Sequence, residues 1–400
     1  MKFVIPTNWE NALLDAIPHD TVEELYGALA YDPVGGGRPS FMLPHISRGR
    51  FKRHVKEVRD KGYRFNYLLN AVCLDNREFT RAGQRKIRHF LQWLIDSGVE
   101  SVTVSIPYLL ELIKHNYPTL TVSVSTMAGV DSLVRARYWE SLGADKITLA
   151  TTSSVIRNFP LLRLLKKQLR CEIQLIANLT CLSECPFWQY HAVSHAHASQ
   201  SGHPSGGFLI DYCFLRCNYI KLCDPGEFIY SAWIRPEDVG YYEEIGIDSI
   251  KFANRPLSTS HVEKMLVSYS QRQYEGNLLA LFQERTSEGK ISRGKTPFLQ
   301  TFRYFFRPQA VNIFKFATMQ SLRDASGISV DNASLDGFLA HWLMVHPQGL
   351  SGEHCPDCQN FIARALRIDQ AQRKKMLDCY ARYLQSIVSG DMFSYRKEKR

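Results

Sequence analysis

Short apolar runs of strand length alternate with longer segments of helical period from residue 1 to about 255. The strand-like runs cover residues 2–6, 24–28, 65–71, 101–105, 120–125, 146–150, 172–177 and 249–253. Between them, residues 81–97, 132–142 and 155–169 carry apolar positions at helical spacing. Three phrases end such segments alike: Ser97-Gly98-Val99-Glu100, Leu142-Gly143-Ala144-Asp145 and Ile245-Gly246-Ile247-Asp248. Glycine tolerates the left-handed turn that stops a helix, and a strand follows at once. Alternating strand and helix implies a parallel sheet. Eight units favour closure, so residues 1–258 are expected to form an α/β domain, a (β/α)8 TIM-like barrel, in preference to an open doubly wound sheet.

The rhythm changes after residue 258. Helical stretches at 260–269, 311–326, 335–343 and 369–388 predict an α-rich C-terminal extension over 259–400, interrupted by a loop at 346–352. The barrel pattern itself breaks once. Residues 178–235 separate the seventh strand from its helix, and they read as a long irregular loop. Such loops are usually functional, and at the C-terminal ends of barrel strands they carry active sites.

This loop holds Cys181, Cys185, Cys213, Cys217 and Cys223. The text is Cys181-Leu182-Ser183-Glu184-Cys185-Pro186, then Cys213-Phe214-Leu215-Arg216-Cys217. Four thiolates suit an iron–sulfur cluster or a structural zinc, and buried free cysteines are the third reading. A 4Fe–4S cluster on Cys181, Cys185, Cys213 and Cys217 is the favoured one. Position 188 is Trp188, so the three-cysteine pattern of a radical S-adenosylmethionine site fails. The loop also carries His191, His195, His197 and His203, which could move protons or belong to a polar surface. His191, close behind Cys185, is the candidate catalytic histidine. The roles of Cys223, Cys355 and Cys358 are left unassigned, and Cys73 is a reserve ligand.

Composition narrows the setting. The apolar fraction is 45% and aromatics are 12%, enough for a packed core. Ten cysteines fit ligands or redox chemistry in a reducing compartment better than disulfides. No apolar run is long enough for a membrane span, so a cytoplasmic protein is expected. The net charge of +10 points to an anionic partner, RNA or an acidic small molecule, although most basic runs read as solvated faces.

Polar residues recur at predicted strand C-termini. Gly35-Gly36-Gly37-Arg38 follows the second strand, where glycine N–H groups could cradle an anion beside the Arg38 fork. Asn70, Ser125, Asn178 and Asn254-Arg255 end four others, and Arg235 opens the helix Pro236-Glu237-Asp238. Arg38, Asn70 and Arg255 are the candidate cofactor-binding residues. Arg235 is a candidate catalytic residue that would hold a carboxylate or pair with the neighbouring acids.

The order of Leu25-Tyr26-Gly27 with Gly35 to Arg38, then Asn70, then Ser123-Val124-Ser125-Thr126, then Gly143 to Ala150, then the cysteines, then Trp233 to Asp238 and Lys251 to Arg255 resembles peptidase family U32, the collagenase-like peptidases. The resemblance spans roughly residues 1–258 and identifies a divergent member. It implies a barrel carrying a four-cysteine 4Fe–4S cluster. Relatives include oxygen-independent ubiquinone- and RNA-hydroxylation proteins, with prephenate or a similar dicarboxylate as co-substrate. The expected function is therefore an iron–sulfur enzyme that hydroxylates or otherwise modifies an organic or RNA substrate. The alternative is a non-catalytic iron–sulfur partner or redox-sensing subunit, for instance in a heterodimer with a related protein. Peptidase chemistry is the weaker expectation, because no serine elbow or His-Glu zinc helix is present.

Overall fold

The computed structural model describes residues 1–254, 257–284, 304–318, 326–346 and 356–395. Eight parallel strands close a barrel in sequence order: β1 (Lys2–Pro6), β2 (Val22–Gly27), β3 (Arg64–Leu69), β4 (Ser101–Val104), β5 (Thr121–Val124), β6 (Lys146–Thr148), β7 (Glu172–Ile176) and β8 (Ser249–Lys251). Closure is made by β1, which pairs with β2 through Val4 and Glu24 and with β8 through Phe3 and Ile250. The (β/α)8 expectation holds, with strand boundaries displaced by a few residues at most.

The helices between strands form for the reasons their sequence offers. Arg81–Asp96 buries Ile87, Phe90, Leu91 and Leu94 on one stripe. The Thr80 hydroxyl caps its first turn by accepting from the Gly83 N–H at 3.0 Å. Gly98, at φ +87°, takes the left-handed turn that releases the chain into β4. Each such buried side chain contributes about 1.5–3 kcal/mol of transfer free energy. One expected helix, over 155–169, is two: Ser153–Ile156 and Phe159–Gln168. Asn158 restarts the second by capping the Leu161 N–H, with a proline in the first turn.

The interior of the barrel is unusually polar. Glu24 accepts from Asn66 Nδ2 at 3.1 Å and from Ser101 Oγ at 2.6 Å, and Thr103 donates to Asn66 Oδ1. Thr148 donates to Gln174, which donates to Ser249. At the N-terminal end of the strands, Lys146 pairs with Glu23 at 2.6 Å and Glu172 at 3.0 Å. Burial opposes its charge, but Glu24 and Glu23 raise its pKa above the usual lysine value. The network keeps buried polar atoms paired, as burial requires.

The extension packs onto the barrel as one continuous core. Phe338 and Trp342, on the Phe338–Val345 helix, meet Trp233 and Tyr230 of the barrel. The described part of the extension is mostly helical, with one addition: Ile328–Val330 and Leu366–Ile368 pair as a two-stranded antiparallel sheet. Residues 319–325 of the helix expected over 311–326, and 347–352 of the expected loop, lie outside the described residues. The segment 178–235 departs from its expected irregularity. It folds as three helices, Trp188–His197, Tyr212–Cys223 and Glu227–Tyr230. The first has no clean apolar stripe to reveal it, since its buried residues are only Ala192, His195 and Ala196. No described helix is long and apolar enough to cross a membrane.

Candidate metal centre at the barrel mouth

The β7 loop and the helices it carries present the four candidate cysteines. Asp211 caps the Tyr212–Cys223 helix by accepting from Phe214 N–H at 2.9 Å. That start places Cys213 in the first turn and Cys217 one turn later on the same face. Cys181 lies in the stretch just after β7, and Cys185 lies just before the Trp188–His197 helix. Cys217 is an electrostatic neighbour of both Cys181 and Cys185, Cys185 of Cys181, and Cys213 of Cys185. These thiols are electrostatic neighbours, but among the described residues no three of their sulfur atoms lie within 4.8 Å of one another.

Their surroundings bear on what they can hold. Burial pushes the thiols of Cys213 and Cys217 up to about 12 and raises those of Cys181 and Cys185. Opposing groups are present. Lys221 lies one further turn along the cysteine helix, favours the thiolate form at Cys181, Cys185 and Cys217, and is anchored by donating to Thr180 O at 3.0 Å. The backbone at Phe187 and Trp188 also favours the thiolate form of Cys185. Arg38 favours the thiolate at Cys181. Thiols are the donors an iron–sulfur cluster or a zinc ion takes, and metal binding would draw off the protons that burial retains.

The ground beneath this group is braced by a buried arginine. Arg157 donates to Ile229 O at 3.3 Å, Tyr230 O at 3.1 Å and Ser231 O at 2.6 Å. Its guanidinium lies over Trp233, Trp342 and Phe338 at 4.7, 4.9 and 5.2 Å. Ser231 Oγ in turn donates to Cys181 O at 2.6 Å, and Glu227 accepts from the Ser183 N–H at 3.1 Å. A side chain outside the loop therefore fixes the backbone that presents Cys181.

Other candidates fare differently. Arg38 donates to Asn254 Oδ1 at 3.2 Å and lies within electrostatic range of Cys181 and His195. The glycine cradle is occupied by the protein itself. Asp32 Oδ1 accepts from Gly35 N–H, Ser199 Oγ from Gly36 N–H, and Asn70 Oδ1 from Gly37 N–H. The reading of those N–H groups as an anion site is corrected accordingly. Asn70 spends its amide donor on Ser125 Oγ at 3.1 Å, so it shapes the loop around Arg38. Arg235 is buried and bonded to Asn332 O at 3.2 Å and Asp336 at 2.7 Å, with Glu237 and Asp238 beside it. It joins the barrel to the extension, and acids on both elements consume its charge. Asn178 clamps the Ala253 backbone at both N–H and carbonyl. Arg255 and Cys355 lie outside the described residues. Cys358 is an electrostatic neighbour of Arg157, and Cys223 is exposed.

His191 Nε2 stands 3.1 Å from Asp211 Oδ2, and His195 Nε2 stands 2.9 Å from the same oxygen. Burial lowers the pKa of His195 against the pull of Asp211. Burial works to raise the Asp211 pKa, yet hydrogen bonds from His191 and His195 hold it well below the usual carboxylate range. Sequence reasoning singled out His191 but missed Lys221 and Asp211. Their signals were present: Lys221 follows Cys217 by one helical turn, and Asp211 stands where a cap would start the cysteine helix.

Comparison with known proteins places the chain. The model of peptidase family U32 matches residues 42–175. An uncharacterized protease, MJ1657 of Methanocaldococcus jannaschii, is 30% identical over 248 residues, covering 62% of this chain and 72% of that protein. The chain belongs to peptidase family U32. A tRNA hydroxylation protein P of Haemophilus influenzae is 22% identical to this U32 protein over 147 residues, which is 34% of this chain and 30% of the relative. The solved structure of the U32 peptidase Mk0906 overlays with a TM-score of 0.48 at 22% identity, over 64% of this chain and 94% of that one.

Proposed function

We propose that this U32 protein is a 4Fe–4S enzyme that modifies an organic or RNA substrate by hydroxylation without O2. The observation that supports the reading is the placement of Cys181 and Cys185 after β7 and of Cys213 and Cys217 one turn apart on a facing helix, with Lys221 and Arg38 as electrostatic neighbours of Cys181. The four cysteines would hold the cluster, which supplies one-electron chemistry when bound. Lys221 balances thiolate charge from its anchored position. Arg38, steered by Asn254, presents a guanidinium to an anionic substrate or to a dicarboxylate donor such as prephenate. His191, with its side chain 30% exposed, can exchange protons with that substrate while Asp211 holds its ring. The net charge of +10 suits RNA, and the tRNA hydroxylation relative supports that substrate class.

The test is mass spectrometry of RNA and small metabolites from cells with and without the gene, grown anaerobically. A product heavier by one oxygen atom, restored by the wild-type gene but not by Cys213→Ser, is expected. Unchanged RNA and metabolites, together with cleavage of peptides by the purified protein, would overturn the reading. Turnover only after a second protein is added would favour the heterodimeric partner role.

A further inference from the structure

His191 and His195 are four residues apart on one helix, so their rings share a face, and Asp211 meets them from the start of the next helix. His195 Nδ1 lies 3.0 Å from Gly37 O. A carbonyl oxygen only accepts, so Nδ1 carries the hydrogen. In the neutral ring, Nε2 then offers a lone pair, and that lone pair faces Asp211 Oδ2 at 2.9 Å, which is also an acceptor. Two acceptors so close call for a positive centre between or beside them. His191 Nε2 is aimed at the same oxygen, and the three donor atoms all lie within 4.8 Å of one another.

We propose that His191, His195 and Asp211 form a mononuclear site for a divalent transition ion of the zinc or ferrous class, distinct from the thiol set. Two imidazoles and one carboxylate are the donors such ions take, with coordination positions left for water or substrate. The supporting contacts are those of a built ligand set. Gly37 O fixes the tautomer and ring plane of His195, and Phe214 N–H occupies Asp211 Oδ1 at 2.9 Å, leaving Oδ2 for the ion. His195 is 7% exposed and His191 30%, so the site is anchored inside and reached from solvent on the His191 side. An ion with open positions there polarises a bound oxygen ligand, which adds Lewis-acid chemistry beside the thiols. The inference does not depend on an iron–sulfur cluster; a second proton on His195 is the competing positive centre.

The experiment titrates zinc(II) into the anaerobically purified full-length protein, followed by calorimetry and zinc-edge X-ray absorption. Wild type, His191→Ala and His195→Gln are compared, with circular dichroism as the control for folding. Wild type should take up one zinc with a nitrogen and oxygen shell that each variant weakens at least about 10-fold, while any visible chromophore is unchanged. Absence of that nitrogen–oxygen zinc in wild type, or equal affinity in the variants, would overturn the proposal. If His195→Gln fails to fold, the partly exposed His191→Ala decides alone. A colourless protein would count against the cluster only, because the zinc shell is read separately.

Discussion

Replacing Arg157 with lysine tests how the barrel holds the cysteine group. The guanidinium makes three hydrogen bonds to consecutive carbonyls, at 3.3, 3.1 and 2.6 Å, between two indole rings and a phenyl ring. It is fully buried, and burial lowers its pKa to about 10, against the pull of Tyr242 and Asp238. A lysine keeps a positive charge but cannot span three carbonyls or stack as a plane. A hydrogen bond to a charged group is worth about 1.5–3 kcal/mol, and a desolvated cation–π contact about 2 kcal/mol. One retained bond and partial relaxation leave a loss of about 2–4 kcal/mol. Urea unfolding at constant slope should show it as a lower midpoint. The Ser231 to Cys181 hydrogen bond depends on the same carbonyl segment. Arg157→Lys should therefore also shed metal faster during dialysis against a chelator. A stability change below about 0.5 kcal/mol, the level of an ordinary surface substitution, with metal retained as in wild type, would show that Arg157 does not brace the cysteine segment.

Two further outcomes follow from buried charges elsewhere. His54 is buried against Thr7 Oγ1 at 2.7 Å, and burial lowers its pKa from 6.5 to about 4. The folded state thus binds fewer protons than the unfolded state between those values. Its contribution is present above pH 6.5 and lost as pH falls towards 4, by about 3 kcal/mol in all; His54→Gln should flatten the wild-type slope of stability against pH, and parallel curves would remove His54 as the cause. Lys146→Met strands Glu23, Glu24 and Glu172 without their shared cation. The expected cost is about 3–5 kcal/mol in urea unfolding, partly recovered by Glu24→Gln in the same chain; an unchanged midpoint would show that the carboxylates do not need it.

The barrel was legible because its strands and helices repeat a simple rule. Apolar strand runs, amphipathic helices and a glycine such as Gly98 or Gly246 at a helix end each follow from local physics. The polar interior was not, since Glu24, Asn66 and Gln174 find their partners only on other strands. The helix Trp188–His197 hid behind a sequence of histidines and alanines whose buried face is narrow. At the site, the cysteine spacing was visible. What the spacing could not reveal was competition: Asp32, Ser199 and Asn70 had already taken the glycine N–H groups, and Asp336 had taken Arg235. Asp32 is only three positions from Gly35, but other partners are remote in sequence, 163 positions for Gly36 and Ser199 and 101 for Arg235 and Asp336.

Iron and acid-labile sulfide, counted per chain on anaerobically purified wild type and on the four single Cys→Ser variants, decide whether these thiols hold a cluster. A 4Fe–4S site should give about four iron and four sulfide in a brown wild-type protein, with sharp losses in Cys181→Ser, Cys185→Ser, Cys213→Ser and Cys217→Ser alike. A colourless protein with a single thiolate-bound zinc, or iron content indifferent to all four substitutions, would contradict it.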